Sequence, residues 1–355
     1  MASLIKWVHP KSSKKNDLKS SKKRHYYPAN IGEILRSKYQ IVGKLGFGVT
    51  STVWLARDLD VDMSHPGYVH VGTALDRFTI PHLGNHHHCL VQKPIWESFT
   101  HLLYRNPTHR FTEDLLRAGL KQVFLALDYL HRECKLVHAN IKSDNILQEI
   151  EDTSILNSFS IAEKEHPSSR KYVITIPIYA SRWFDLPRAF GMAVLSDFGS
   201  AVQGDETRNH NPQPNGYRAP EVMLKAEWSY PIDIWNVGVM DLFEGKHLFD
   251  GDDSDGKGYS TRAHLAEVNG ILGPLPLTLV RRGTRSPEFF TEDGYWKSDI
   301  EISKGVSLHN SEEFLSGRNK EMFLEFLKGM LQWKPEDRKT AKELLQDPWL
   351  NGHSI

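Results

Sequence analysis

The spacing of apolar positions changes near residue 93. Upstream, residues 39–44 and 52–57 alternate in the two-residue period of short strands, on either side of a glycine-bearing turn. An irregular, His-rich stretch follows over 58–88, within which 73–80 and then 89–92 predict two further strands. Downstream the period becomes helical. Residues 111–132 place Leu115, Leu116, Leu120, Val123, Phe124, Leu127 and Leu130 on one face, which predicts a buried amphipathic helix. Residues from about 149 to 190 lack a clear period and read as a long surface insertion. From 232 to 347 the pattern is mostly helical, clearest over 312–332 and 340–346. Strands first and helices later, with a joint at Lys93 and Pro94, predict a two-lobed α+β protein. Its parts are a basic disordered tail (1–30), a small strand-rich lobe (31–93) and a large helical lobe (94–350).

Composition adds limits. Of 355 residues, 39% are hydrophobic and 25% charged, an ordinary globular mix. Lys plus Arg equals Asp plus Glu at 44 each, so no global field favours nucleic acid or a membrane surface. No apolar run approaches the roughly 20 residues that span a bilayer, and a soluble monomer is expected. Cys89 and Cys134 are too few for a disulfide framework and read as free thiols. The first 24 residues hold Lys11, Lys14, Lys15, Lys19, Lys22, Lys23 and Arg24 against one acid, Asp17. A solvated tail, a nuclear-import patch and a mitochondrial presequence compete there, and Lys in place of Arg counts against the last. The expected location is cytoplasmic, nuclear or both.

Four motifs carry chemistry. Gly46-Phe47-Gly48-Val49-Thr50-Ser51-Thr52-Val53 places glycines where backbone amides can approach phosphates without a Cβ in the way, and Val53 where it can roof a purine. Ser51 takes the third glycine's place. After the long helix comes His138-Ala139-Asn140-Ile141-Lys142-Ser143-Asp144-Asn145-Ile146-Leu147, a polar loop with apolar anchors. Asp197-Phe198-Gly199 follows the apolar run 192–195, and Ala219-Pro220-Glu221 comes next, then Asp233, Trp235 and Gly238. Arg338 is a candidate bidentate partner for a buried Glu221.

In this order and at these spacings the motifs resemble those of eukaryotic protein kinases. Arg218 before Ala219-Pro220-Glu221 is similar to the CMGC group. Residues 46–56, 94–98, 124–129, 213–222, 264–274 and 286–294 look like fungal-type SR-protein kinases. The resemblance implies a bilobal kinase fold, ATP and Mg2+ as cofactors, and serines of Arg/Ser-rich splicing proteins as substrate. It assigns Gly46, Gly48, Ser51, Val53 and Leu147 to the nucleotide, Asn145 and Asp197 to the metal, and Asn140 and Lys142 to catalysis. His138, Glu221, Asp233 and Arg338 become structural. Ala139 stands where many kinases carry an arginine that reads activation-loop phosphate, which fits a kinase needing no such phosphorylation. Acidic patches hold arginine-rich peptides in that family; Asp250, Asp252, Asp253 and Asp255 form a local acidic run, more simply a solvated loop.

Two departures bear on activity. Kinases orient the nucleotide phosphates with a lysine on the third strand, held by a glutamate on the next helix. Here no lysine lies between Lys44 and Lys93 and no glutamate between Gly46 and Trp96, so that strand and helix are expected to be absent. Asn140 replaces the aspartate that accepts the substrate proton, which an amide cannot do. Residues 237–242 also read as a shortened helix. Impaired or lost catalysis follows, with weak ATP binding, and repair of Asn140 alone is expected to leave the nucleotide unanchored. An active kinase, a pseudokinase scaffold and a truncated kinase copy are the three readings.

Overall fold

The computed structural model describes residues 2–8, 29–35, 39–47, 51–58, 70–72, 74–82, 85–173, 176–206, 208–209, 211–253, 256–302 and 305–352. The chain divides into two compact units, Met1–Glu97 with Gln148–Met192, and Ser98–Leu147 with Ala193–Ile355.

The first unit is built on six antiparallel strands: β1 (Ala2–Val8), β2 (Ile34–Leu35), β3 (Tyr39–Phe47), β4 (Ser51–Asp58), β5 (Ala74–His82) and β6 (Asn85–Gln92). Their spatial order is β2-β3-β4-β1-β6-β5. Strands β3 and β4 pair antiparallel, with Gly46 opposite Val53 and Phe47 opposite Thr52. Alternation along β6 buries Cys89 and Val91 completely, in a cluster with Ala29, Leu35, Ile41 and Tyr179. His88, on the other face, is exposed.

The sequence expectation is corrected at β1. Residues 1–30 read as a basic tail, yet Ala2–Val8 lies in the sheet between β4 and β6. The physical reason is edge satisfaction. Without it β4 and β6 would each present an unpaired row of N–H and C=O groups, and Leu4, Ile5, Trp7 and Val8 are suited to a strand. Lys11 to Arg24 lie outside the described residues. Among the described residues no helix lies between β4 and β5.

The insertion over 149–190 is also more regular than its sequence suggests. It contains a helix, Ser154–Glu165, and a hairpin of Arg170–Val173 with Ile176–Tyr179. Ile155 and Phe159, one turn apart, are buried, and Phe159 meets Phe184 at 5.1 Å between ring centroids. Glu163 is buried too. Its carboxylate accepts from Ser168 N and Oγ at 2.8 Å each and pairs with Arg182 at 3.3 Å. One short apolar edge closed by a buried ion pair leaves little periodic signal.

The second unit is helical. Its long helix, Glu113–Arg132, is capped by Thr112, whose hydroxyl accepts from Leu115 N at 3.3 Å. Acidic Glu113 and Asp114 open it and basic His131 and Arg132 close it, as the helix dipole favours. Leu116, Leu120, Val123, Phe124, Leu127 and Leu130 form the buried stripe, whereas Leu115 is 39% exposed. Phe124 meets Phe326 of helix Gly317–Lys328 edge-on at 6.0 Å. That helix starts later than the period over 312–332 predicts, because buried Glu312 caps the preceding turn by accepting from Phe314 N and Leu315 N at 2.6 and 2.5 Å. Helix Pro231–Gly238 ends at Gly238, where a Cβ would stand 2.8 Å from Leu331 Cδ2.

Candidate active site

The loop after the long helix is fastened at its start by a buried carboxylate. Asp233, fully buried on helix Pro231–Gly238, accepts from His138 N at 2.7 Å through Oδ2 and from Ala139 N at 2.8 Å through Oδ1. His131 stands 3.0 Å from Oδ2. Ala139 is thereby held at φ 63°, in left-handed backbone that a side chain disfavours and the paired carboxylate enforces. Sequence assigned Asp233 a structural role, and the structure shows which atoms it holds.

His138 is buried and links two segments. Its Nε2–H donates to Ser196 O at 3.0 Å, and its Nδ1 accepts from Asn140 N at 3.3 Å. Burial pushes its pKa below the usual histidine value against the attraction of Asp233, so the neutral ring carries this pattern. Its ring meets Phe198 edge-on at 5.0 Å.

The two proposed metal residues are brought together. Ser196 N donates to Asn145 O at 2.8 Å, which sets Asp197 beside Asn145. Asn145 is buried, and its Nδ2 donates to Asn140 O at 2.7 Å, which turns the amide oxygen into the position of ligand. Asp197 is exposed and sits at φ 64°, and a Cβ on Gly199 would come within 3.3 Å of Asp197 Oδ1. One carboxylate and one amide oxygen suit Mg2+, which takes one or two protein ligands and fills its remaining positions from phosphates and water. The donor set fits the ion.

Asn140 itself lies between these anchors, partly exposed, with its backbone N and O both engaged as above. Lys142 donates to Asp144 Oδ2 at 2.9 Å. Burial raises the Asp144 pKa, but hydrogen bonds from Lys142 and Thr100 outweigh it and hold the group below its usual value. A half-exposed pair of this kind is worth little, so Lys142 can be recruited by an arriving phosphate. Ser143 shares a hydroxyl contact of 2.7 Å with Thr100, a support that no motif announced. Leu147, at the loop's end, is partly buried.

The segment from Asp197 to Glu221 is pinned along its length. Val202 and Gln203 pair with Val137 and Leu136, and Gly204 N donates to Lys135 O at 2.8 Å. Buried Gln213 accepts from Ala219 N at 2.9 Å and donates to Ile232 O at 3.0 Å. The predicted pair is present: Arg338 donates to Glu221 through two bonds of 2.6 and 2.7 Å, both side chains fully buried. Gln213 was visible in sequence only inside a family-like stretch, because one buried amide has no period.

In the first unit, Gly46 and Val53 face each other across the hairpin and Ser51 opens β4. Gly48 lies outside the described residues, as does Asp255. The acidic run is not uniform: Asp250 and Asp252 are exposed, while Asp253 is buried in a pair with Arg262 at 2.6 Å.

Comparison with known proteins agrees with this geometry. The protein kinase domain model matches residues 62–350. A serine/threonine protein kinase of Aspergillus fumigatus is 39% identical over 92% of this chain and 87% of its own length. The serine/threonine-protein kinase SRPK of Physarum polycephalum is 28% identical over 93% and 89%. A dual specificity protein kinase of Mus musculus is 28% identical over 74% and 50%. The crystal structure of a kinase domain superposes with a TM-score of 0.69 at 20% identity, covering 92% of this chain and 99% of that one. This chain belongs to the protein kinase family, among the serine/threonine protein kinases.

Proposed function

We propose that this kinase transfers phosphate slowly, from Mg2+·ATP to serines of Arg/Ser-rich proteins, with the loss centred on proton acceptance. The observation that carries the reading is Asn140, set at the base position by a loop whose other fastenings are intact. Its amide can accept a hydrogen bond from a serine hydroxyl and orient it, but cannot remove the proton. Bound Mg2+ would supply neutralisation of phosphate charge, and Asn145 and Asp197 are the residues that would hold it. Lys142 sits where it can turn from Asp144 towards a phosphate. Exposed Asp250 and Asp252, together with likeness to the SRPK of Physarum, support a basic peptide as acceptor.

The test is phosphorylation of an Arg/Ser-repeat peptide with radiolabelled ATP by the native chain and by Asn140→Asp. Restoring a base raises turnover by on the order of 10²–10⁴-fold. If both proteins bind Mg2+·ATP and the substitution leaves turnover unchanged, the chain is a binding module and the proposal fails.

A further inference from the structure

Helix Pro231–Gly238 stops early, and the chain beyond it borders a cavity. From Val239 to Glu244 the backbone carries no helix, although Leu242 and Phe243 remain buried. Beside this segment lies a space of about 130 Å3. Leu116 and Leu120 of the long helix wall it on one side, and Phe323 and Leu327 of helix Gly317–Lys328 on another. Val306, 41% exposed, stands at its rim. All of these residues belong to the helical unit, and neither the 138–147 loop nor Asp197 lines the space. A cavity of about 150 Å3 walled by Leu, Ile and Phe stays dry and takes up benzene, so this one is large enough for a single six-membered ring.

One wall is not apolar. Glu244 lines the cavity, and its Oε1 is buried without a hydrogen-bond partner. Its Oε2 accepts from Glu313 N at 3.3 Å. The carboxylates around it each have a basic partner: His247 stands 3.0 Å from Asp241, Lys320 stands 3.3 Å from Glu312, and Lys246 is bonded to Glu313. Lys246 therefore acts on Glu244 only from a distance, and among the described residues no cation pairs with Glu244. Burial pushes the Glu244 pKa up and Glu312 adds to the rise, against the bond from Glu313 N and the field of Lys246. A buried acceptor with no donor is rare in a folded protein. A water there would find few further partners among leucines and phenylalanines. An ammonium group would supply both the missing donor and the missing charge.

We propose that this cavity is a ligand site of the helical unit, taking a compact apolar molecule that carries a primary amine. The apolar body lies against Leu116, Leu120 and Phe323, and the ammonium donates to Glu244 Oε1. Charge selects the amine, since the carboxylate left unpaired would repel an anion and gain less from a neutral hydroxyl. This site is independent of the kinase reading, which stands whatever the amine does.

The experiment uses the full chain near neutral pH, with benzylamine as the probe and toluene, benzyl alcohol and benzoate as ligands of similar size. Calorimetry and thermal unfolding are followed for the native chain and for Glu244→Gln. Benzylamine should bind the native chain saturably, one per chain, and raise its unfolding midpoint. It should bind about 10- to 100-fold more tightly than benzyl alcohol or toluene, as a hydrogen bond to a charged group implies, and benzoate should not bind. Glu244→Gln should weaken benzylamine by the same factor and leave toluene within about twofold. Toluene binding as tightly as benzylamine overturns the proposal, as does a benzylamine affinity unchanged in Glu244→Gln. Absence of saturable benzylamine binding to the native chain overturns it as well. Should Glu244→Gln fail to fold, the order of the four ligands on the native chain decides.

Discussion

Replacing Arg338 by Met isolates the strongest polar interaction in the helical unit. The guanidinium gives two short bonds to Glu221, a third to Pro231 O at 3.1 Å and a fourth to Gln332 O at 3.0 Å, and lies 5.0 Å from the Trp235 ring centroid. Neither charged side chain of the pair reaches solvent. Methionine retains much of the stem's packing but strands the Glu221 carboxylate in an apolar site. Removing one partner of such a pair costs about 3–5 kcal/mol, and the two orphaned carbonyls place the value in the upper half of that range. At about 2–4 °C per kcal/mol for a unit of this size, the unfolding midpoint should fall by roughly 8–20 °C. Urea titration followed by tryptophan fluorescence reports the same unit, since Trp228, Trp235, Trp333 and Trp349 are all buried in it. Replacing Glu221 by Met in the same chain should return part of the loss, because an apolar pair avoids the buried charge. A single-variant cost below about 1 kcal/mol, within the range of an exposed ion pair, would refute the reasoning.

Two other perturbations follow from buried polar groups. His264 is held by burial, and by Arg218 to a lesser degree, at a pKa of about 3. The unfolded chain takes up its proton near 6.5 and the folded chain does not, so stability contributed by this group is full above 6.5 and falls as pH drops towards 3. Urea midpoints at pH 7 and 5 should differ in the native chain, and His264→Gln should remove about 1.4 kcal/mol per pH unit of that slope; an unaltered slope contradicts the assignment. Asp233→Asn replaces one acceptor with an amide donor facing a backbone N–H, at a cost of about 2–3 kcal/mol by the same denaturation assay. It should also lower the peptide turnover of the Asn140→Asp variant, because the loop loses its fastening at His138 and Ala139; full retention of both stability and turnover would show that the carboxylate does not set the loop.

How much of this was legible in the sequence depends on whether a feature is local in the chain. The stripe from Leu116 to Leu130 repeats within one helix, and the element predicted over 111–132 is found at Glu113–Arg132. His138, Asn145 and Asp197 belong to motifs whose spacing survives, so their convergence was also readable. Glu221 and Arg338 are 117 positions apart, and only the chemistry of a bidentate pair connected them beforehand. The Gln213 amide, the Glu312 cap and the Ser143–Thr100 contact depend on tertiary placement of single residues, and no window of sequence holds that information.

The order of the strands is a harder case, because the local signal there pointed the wrong way. Ala2–Val8 leads into a lysine-rich stretch, and composition assigned both to one tail. Yet Ile5, Trp7 and Val8 are residue types that favour strands, and the segment pairs with β4 on one side and β6 on the other. Edge pairing is indifferent to the order in which strands are synthesised, since the ladder is closed by backbone groups that every residue except proline carries. Reading motifs from one end to the other therefore finds a gap between Asp58 and Ala74, whereas the sheet has none between β4 and β6.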